Sequence, residues 1–307
     1  MANIQTIHTK NLRWIDIINP DFDELEWLRQ NFRFHELHFK AVAEHQLRPH
    51  IDQAQNYDFL VLLFPVYDKK TQEIVTGEVD FFVGHNFLIT AHYGQMYTLK
   101  NLFSRIKEDA EIRNVYMQRG PGFLLYKVLE SLFRRSYPIL DHMSQDVQKI
   151  ESKLFRQTNV DMLYKTALMR KNVIEFRKMM KTHHSVLEKL PKRKKDYLIF
   201  PQSKVYYKDL WDYSQDIWDI LEALKETVET LEQTNQALAT YRLNQITKVI
   251  SIFSAIVIPA TLVAFLFGVS VEGVPFRDNP YGFWIVAGLM ILASIILVAI
   301  FKIKKWF

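Results

Sequence analysis

Apolar positions change their spacing three times along this chain, and each change predicts a different kind of element. Up to about Gly120 the segments Leu12 to Ile17 and Tyr57 to Val66 are rich in β-branched and aromatic residues, as buried strands are. Glu78 to Val83 and Phe87 to Thr90 read as a hairpin turning at Gly84-His85-Asn86. Asn19-Pro20-Asp21 opens a helix, and Glu24, three residues after Asp21, completes a capping box. A second short helix is expected from about Glu36 to Glu44. From Pro121 onward strand signals vanish. Leu125, Leu129, Leu132 and Phe133 recur at three and four, predicting an amphipathic helix over Phe123 to Phe155. Another is expected from Val160 to Leu190, ended by Pro191 and the basic turn Lys192-Arg193-Lys194-Lys195, read as solvated. A third begins near Pro201 and meets no proline or glycine before Pro259. Its stretch Asp209 to Thr247 is ~55–60 Å long at ~1.5 Å per residue.

The last quarter of the chain is different. Between Lys248 and Glu272, and again from Asn279 to Phe301, no charge interrupts runs of about 23 residues, each enough to cross ~30 Å of hydrocarbon as a helix. Arg242 and Lys248 precede the first run, and Lys302, Lys304 and Lys305 follow the second. Basic flanks mark the cytoplasmic side, so both chain ends are expected there, with Tyr281 and Trp284 at the outer interface and Trp306 at the inner one. The expected organisation is a cytoplasmic α/β domain (1–120), a long helical stalk (121–247), a first transmembrane helix (248–271), an extracytoplasmic loop (272–279), a second transmembrane helix (280–301) and a basic cytoplasmic tail (302–307).

Within the first span, Asn244, Thr247, Ser251, Ser254, Ile258, Thr261, Phe265 and Gly268 follow steps of three and four, a stripe largely polar as far as Ile258. Val249, Phe253, Ile256, Ala260, Val263 and Leu266, on the other side, are wholly apolar. Polar groups at membrane depth face protein or water rather than lipid. Identical copies around an axis would stack the stripe into rings; the competing reading has the hydroxyls bonded back to their own helix or inside dry helix packing. Pro259 frees a carbonyl mid-span, which neighbouring helices or water can satisfy.

Composition narrows the chemistry. A net charge of +5 held in short lysine clusters argues against nucleic acid, and the absence of cysteine excludes disulfides and thiolate chemistry. No glycine-rich phosphate loop occurs. Met1-Ala2-Asn3-Ile4-Gln5-Thr6 lacks the apolar core of a signal peptide, so the front is expected to stay cytoplasmic. His35, Glu36 and His38 make a weak metal motif, and no nucleophile, base and orienting acid assemble from local sequence, so an enzyme is not expected.

The stretch Arg242-Leu243-Asn244-Gln245-Ile246-Thr247-Lys248-Val249 through Ile258-Pro259-Ala260-Thr261-Leu262 to Phe267-Gly268 resembles the CorA family of divalent-cation channels. Trp14-Ile15-Asp16-Ile17-Ile18-Asn19-Pro20, Phe82 to His92 and the ending Lys304-Lys305-Trp306-Phe307 match it in style. The resemblance implies an α+β cytoplasmic domain with long stalk helices and two C-terminal spans, assembled as a homopentameric funnel in the inner membrane. It implies pore positions at Asn244, Thr247, Ser254, Ile258 and Thr261, apolar constrictions at Ile250 and Ile258, and passage of Mg²⁺, or of cobalt and nickel, down the electrochemical gradient. Divalent cations are then substrate and regulator, with no tightly bound cofactor. Asp209, with Asp212 three residues on, stands where the family carries a regulatory metal ligand; helix-surface charge is the bland alternative. The departure is at the mouth. The family's Gly-Met-Asn is replaced by Gly268-Val269-Ser270, and Phe265 stands where a small residue is common. Glu272 keeps the acidic position beyond, as a cation-concentrating ring or as a plain surface carboxylate. Gly273-Val274-Pro275 resembles the loop of the ZntB-like zinc branch, so zinc transport, proton-coupled or not, is the alternative, together with a poorly conducting, membrane-anchored ion sensor.

Overall fold

The computed structural model describes residues 3–44, 48–94, 96–154, 160–268 and 279–303, and it divides into two compact units, Met1–Glu232 and Gln233–Phe307. In the first, strands β1 (Ile4–His8), β2 (Arg13–Ile18), β3 (His50–Gln53), β4 (Tyr57–Asp68), β5 (Glu73–Gly84) and β6 (Phe87–His92) form one sheet in the order β1-β2-β6-β5-β4-β3. Neighbours are antiparallel except β2 and β6, which run parallel with Trp14 opposite Leu88 and Asp16 opposite Thr90.

Helices α1 (Phe22–Asn31) and α2 (Glu36–Ala43) carry the chain from β2 to β3. The Asp21–Glu24 capping box starts α1, and Leu25, Leu28, Phe39 and Val42 cover one sheet face over Ile15, Ile17, Phe59, Phe82 and Ile89. Helices α3 (Tyr97–Glu108), α4 (Ala110–Met117), α5 (Pro121–Leu154), α6 (Val160–Met180) and α7 (His183–Lys189) follow. On the opposite face, Trp14 meets Phe103 of α3 edge-on at 4.8 Å and Phe64 meets Phe133 of α5 at 5.4 Å. With both faces covered, Tyr57–Pro65 of β4 is buried throughout, and apart from Asp58 it reads as a continuous apolar run rather than an alternating one.

The single helix expected over Val160 to Leu190 is broken at Lys181-Thr182. The break lets His183 turn inward, where it is fully buried against Phe64 and Phe133 and its Nε2 accepts the Leu63 N–H at 3.3 Å. The basic turn after it is not simply solvated. Arg193 donates to Gln53 Oε1 at 2.7 Å and lies 3.3 Å from the buried Asp58 carboxylate, while Lys195 reaches the Gln55 carbonyl at 3.1 Å. Tyr197 completes this clamp by donating to Asp58 Oδ2 at 2.8 Å. Close approach there demands Gly122: a Cβ at that position would lie 2.8–2.9 Å from backbone atoms of Tyr197 and Leu198. Helix α8 runs over Ser203–Gly268 without interruption at Pro259, and α9 over Gly282–Ile303.

Candidate functional site

The second unit holds the end of α8 and all of α9, which among the described residues are the two helices long and apolar enough to cross a membrane. Along α8, Ile252, Ile256, Ala260, Val263 and Phe267 form a buried or half-buried row at steps of four, four, three and four. Along α9, Val286, Met290, Ser294, Leu297 and Phe301 form the matching half-buried row. Ala260 shares a cleft with Met290, Ile291, Ser294, Ile295 and Val298, so the small side chain marks where the two helices approach. Of the residues expected opposite the polar stripe, Ile256, Ala260 and Val263 belong to this row, whereas Val249, Phe253 and Leu266 are exposed.

Asn244, Thr247, Ile250, Ser251, Ile258, Thr261, Phe265 and Gly268 are exposed and Ser254 is half-buried. At ~100° per residue the centre of this stripe lies roughly 180° around the helix from the row that meets α9. Its chemistry is therefore free for water or for further copies of the chain. The Thr261 hydroxyl donates back to the Val257 carbonyl at 2.8 Å. That bond spends the proton and leaves the oxygen lone pairs pointing outward, an arrangement suited to accepting from water. Both readings of the stripe hydroxyls are thus compatible at this residue.

Tyr281, Phe283 and Trp284 are exposed at the start of α9, the last two edge-to-face at 5.5 Å, as an interfacial aromatic belt requires. Lys302 is exposed in the last turn of α9. The mouth residues Val269, Ser270 and Glu272, and Lys304, Lys305 and Trp306 of the tail, lie outside the described residues.

In the first unit, Asp209 is half-buried and its Oδ2 accepts the Tyr126 hydroxyl at 2.9 Å. Burial, and then the Asp209 carboxylate, push the Tyr126 hydroxyl well above the ordinary tyrosine range, so it stays a donor at any physiological pH. Asp212 is exposed. Among the described residues no group of three or more histidine, aspartate or glutamate side chains is gathered to hold a metal ion. His35 caps α2, and His38 stacks on Phe59 with its Nδ1 2.8 Å from the Tyr57 hydroxyl; burial is the main cause of its lowered pKa, against the pull of Asp52. These histidines serve packing. Sequence reasoning missed Tyr126, which no local signal links to a residue 83 positions away.

A family model described as "CorA-like Mg2+ transporter protein" matches residues 9–304. The chain is 23% identical over 295 residues to the cobalt/magnesium transport protein CorA of Methanocaldococcus jannaschii, covering 96% of this chain and 91% of that one. It is 24% identical over 295 residues to the cobalt/magnesium transport protein CorA of Thermotoga maritima, covering 95% and 83%. Its fold matches the complete structure of the CorA magnesium transporter from M. jannaschii with a TM-score of 0.83 at 22% identity, over 98% of this chain and 94% of that one.

Proposed function

Because this chain belongs to the family of CorA-like Mg2+ transporter proteins, we propose that it carries divalent metal cations, magnesium foremost, across a membrane. Five copies surround an axis, each giving the polar stripe of α8 to a shared aqueous path and α9 to the lipid-facing ring. The chain ends lie in the cytoplasm. The observation that carries this reading is the placement of the stripe: it is exposed in the single chain and turned away from the row that packs on α9. A polar face at that depth needs water or protein, and α9 does not supply it.

Mg²⁺ gives up its waters reluctantly, so hydroxyls and amides that accept from those waters guide the hydrated ion better than ligands that strip it. Asn244, Thr247, Ser251, Ser254 and Thr261 offer such groups. Ile250 and Ile258 close the path by dewetting when the ring narrows, and Phe265 adds an aromatic constriction near the outer end. At the mouth Gly268, Val269 and Ser270 take the place of the usual signature. A serine hydroxyl reaches less far than an asparagine amide, so this ring is wider and less selective. Glu272 concentrates cations outside. Lys302, Lys304 and Lys305 supply a basic inner ring. Asp209, held by Tyr126, and Asp212 sense cytosolic Mg²⁺ and favour the closed state.

Flux into proteoliposomes with Mg²⁺, Co²⁺, Ni²⁺ and Zn²⁺, with and without a pH gradient, tests the proposal. Mg²⁺ entry that follows the membrane potential and ignores the pH gradient is expected. Zn²⁺ entry that requires the pH gradient would replace it with proton-coupled zinc transport, and no flux of any cation would reduce the protein to a sensor. Ser270→Asn is expected to sharpen Mg²⁺ preference. Asp209→Asn is expected to leave flux less sensitive to internal Mg²⁺.

A further inference from the structure

The groove between α3 and α5 carries a chemistry that ion passage does not use. It encloses about 430 Å³, within the range of small-molecule sites. Arg105 of α3 and Arg135 of α5 both line it, and both are exposed. Thr98, Asn101 and Ser131 add two hydroxyls and an amide, while Leu102 is the one buried apolar side chain among the described lining residues. Tyr97, in the first turn of α3, stands 68% exposed at the rim, and its ring stacks on no described aromatic.

The charge in this groove is uncompensated. Neither guanidinium has a hydrogen bond, ion pair or ring contact with a described residue. No carboxylate stands among the described lining residues. Glu130, beside Ser131 in the chain, is already held by Lys127 at 2.8 Å and lies 3.7 Å from Arg134. Glu108, one turn beyond Arg105, is exposed and makes no ion pair with it. The residues leading into α3, Gly94-Gln95-Met96, are uncharged. By contrast Arg29, Arg170, Arg177 and Arg193 each reach a carboxylate. Two like charges gathered in one groove repel each other, and an anion bound between them removes that cost.

The guanidinium fork matches phosphate oxygens two at a time, which an ammonium cannot do. An exposed aromatic ring offers a stacking platform to a nucleobase. Tyr97 and Arg105 are ~12 Å apart along α3 at ~1.5 Å per residue, and the Arg105 side chain leans back toward Tyr97 because helical side chains point to the N-terminus. We propose that this groove binds a nucleoside polyphosphate, with the base on Tyr97 and the phosphates on Arg105 and Arg135. Thr98, Asn101 and Ser131 are then the groups that meet the sugar hydroxyls. Two guanidiniums facing no acid favour a chain of phosphates over a single carboxylate.

Equilibrium dialysis of the full-length protein in lipid nanodiscs tests this with adenosine 5′-triphosphate as probe. The buffer is freed of divalent ions, so that the probe cannot act through a metal bound elsewhere. Saturable binding of one probe per chain is expected, displaced weakly by inorganic tripolyphosphate and not by adenosine. Arg105→Gln/Arg135→Gln should weaken binding at least ~10-fold. Tyr97→Ala should weaken the nucleotide by about 10-fold and leave tripolyphosphate binding unchanged. Lys100→Gln/Lys107→Gln removes the same charge from exposed positions on α3 outside the groove and should leave affinity unchanged. All of these positions are exposed, and an unchanged thermal midpoint confirms that each variant folds. Absence of saturable binding up to millimolar probe would overturn the proposal. So would tripolyphosphate competing as well as the nucleotide, or the lysine pair mattering as much as the arginine pair, since either would mean a merely basic surface.

Discussion

Thr90 donates its hydroxyl to the Asp16 carboxylate at 2.5 Å across the parallel pair β2–β6. The same oxygen accepts the indole N–H of Trp14 at 3.1 Å. Asp16 also lies 3.5 Å from His92, and all of these side chains are buried. Trp14, Asp16 and Thr90 come from two segments that looked alike in style to one family; the sheet makes them one network. Thr90→Val keeps the shape and removes both bonds. Stranding two buried polar groups at ~1–3 kcal/mol each, it should cost about 2–4 kcal/mol, read as a lowered unfolding midpoint of the detergent-solubilised protein. Thr90→Ser should recover most of it.

Two buried histidines should respond to pH in opposite directions. Burial opposes charge on His92, but the Asp16 hydrogen bond and charge more than offset it, and its pKa is raised. Its contribution is therefore full below the unfolded value of ~6.5 and is lost as pH rises through the higher folded value. Burial pushes His183 down to about 3. The unfolded chain then takes up a proton that the folded one refuses, so stability falls as pH drops from ~6.5 toward 3, by at most ~1.4 kcal/mol per pH unit. Stability-versus-pH curves check both: His92→Gln should flatten the limb above ~6.5 and His183→Gln the limb below it.

The basic turn offers a contrast within one run of charge. Arg193→Met leaves the buried Asp58 without its guanidinium, a change that costs ~3–5 kcal/mol when the remaining charge cannot escape. Burial already raises the Asp58 pKa, so protonation should relieve part of that cost and the loss should shrink in acid. Lys194→Met, at an exposed position, should fall within ~0.5 kcal/mol of the parent. Denaturant midpoints at pH 5 and pH 8 distinguish the two.

The two faces of α8 should separate transport from packing. Thr261→Val and Ser254→Val remove acceptors from the stripe and should reduce Mg²⁺ flux several-fold with little change in thermal midpoint. Ile256→Ala, half-buried on the row toward α9, should destabilise the protein by less than a fully buried aliphatic truncation, ~1–2 kcal/mol, read as a lower midpoint, and alter flux only as far as assembly is lost. Equal flux losses on both faces would remove the ground for assigning the path to the stripe.

Much of the second unit is legible in the sequence. The uncharged runs, the step of three and four through Asn244 to Gly268 and the aromatic Tyr281 and Trp284 are local patterns, and hydrocarbon leaves a spanning helix few alternatives. The capping box at Asp21 and Glu24 was legible for the same reason, since both partners lie within one turn. Phe59–Pro65 announced a buried strand but not its neighbours, because a run apolar on both faces carries no register. The break at Lys181-Thr182 was hidden because helical spacing continues through it; only the aromatic nest of Phe64 and Phe133 draws His183 inward.

What the sequence by itself determined is the division of this chain into an α/β front and two apolar helices, with one polar stripe on the first of them. Those features follow from one-dimensional spacing and from the demand that backbone groups be satisfied within the segment. Only the tertiary structure decided that β2 pairs with β6, that Tyr126 holds Asp209, that Arg193 guards Asp58 and that Ala260 turns the stripe away from α9. Each of those depends on groups far apart in the chain meeting where water is excluded, and no local pattern encodes such a meeting.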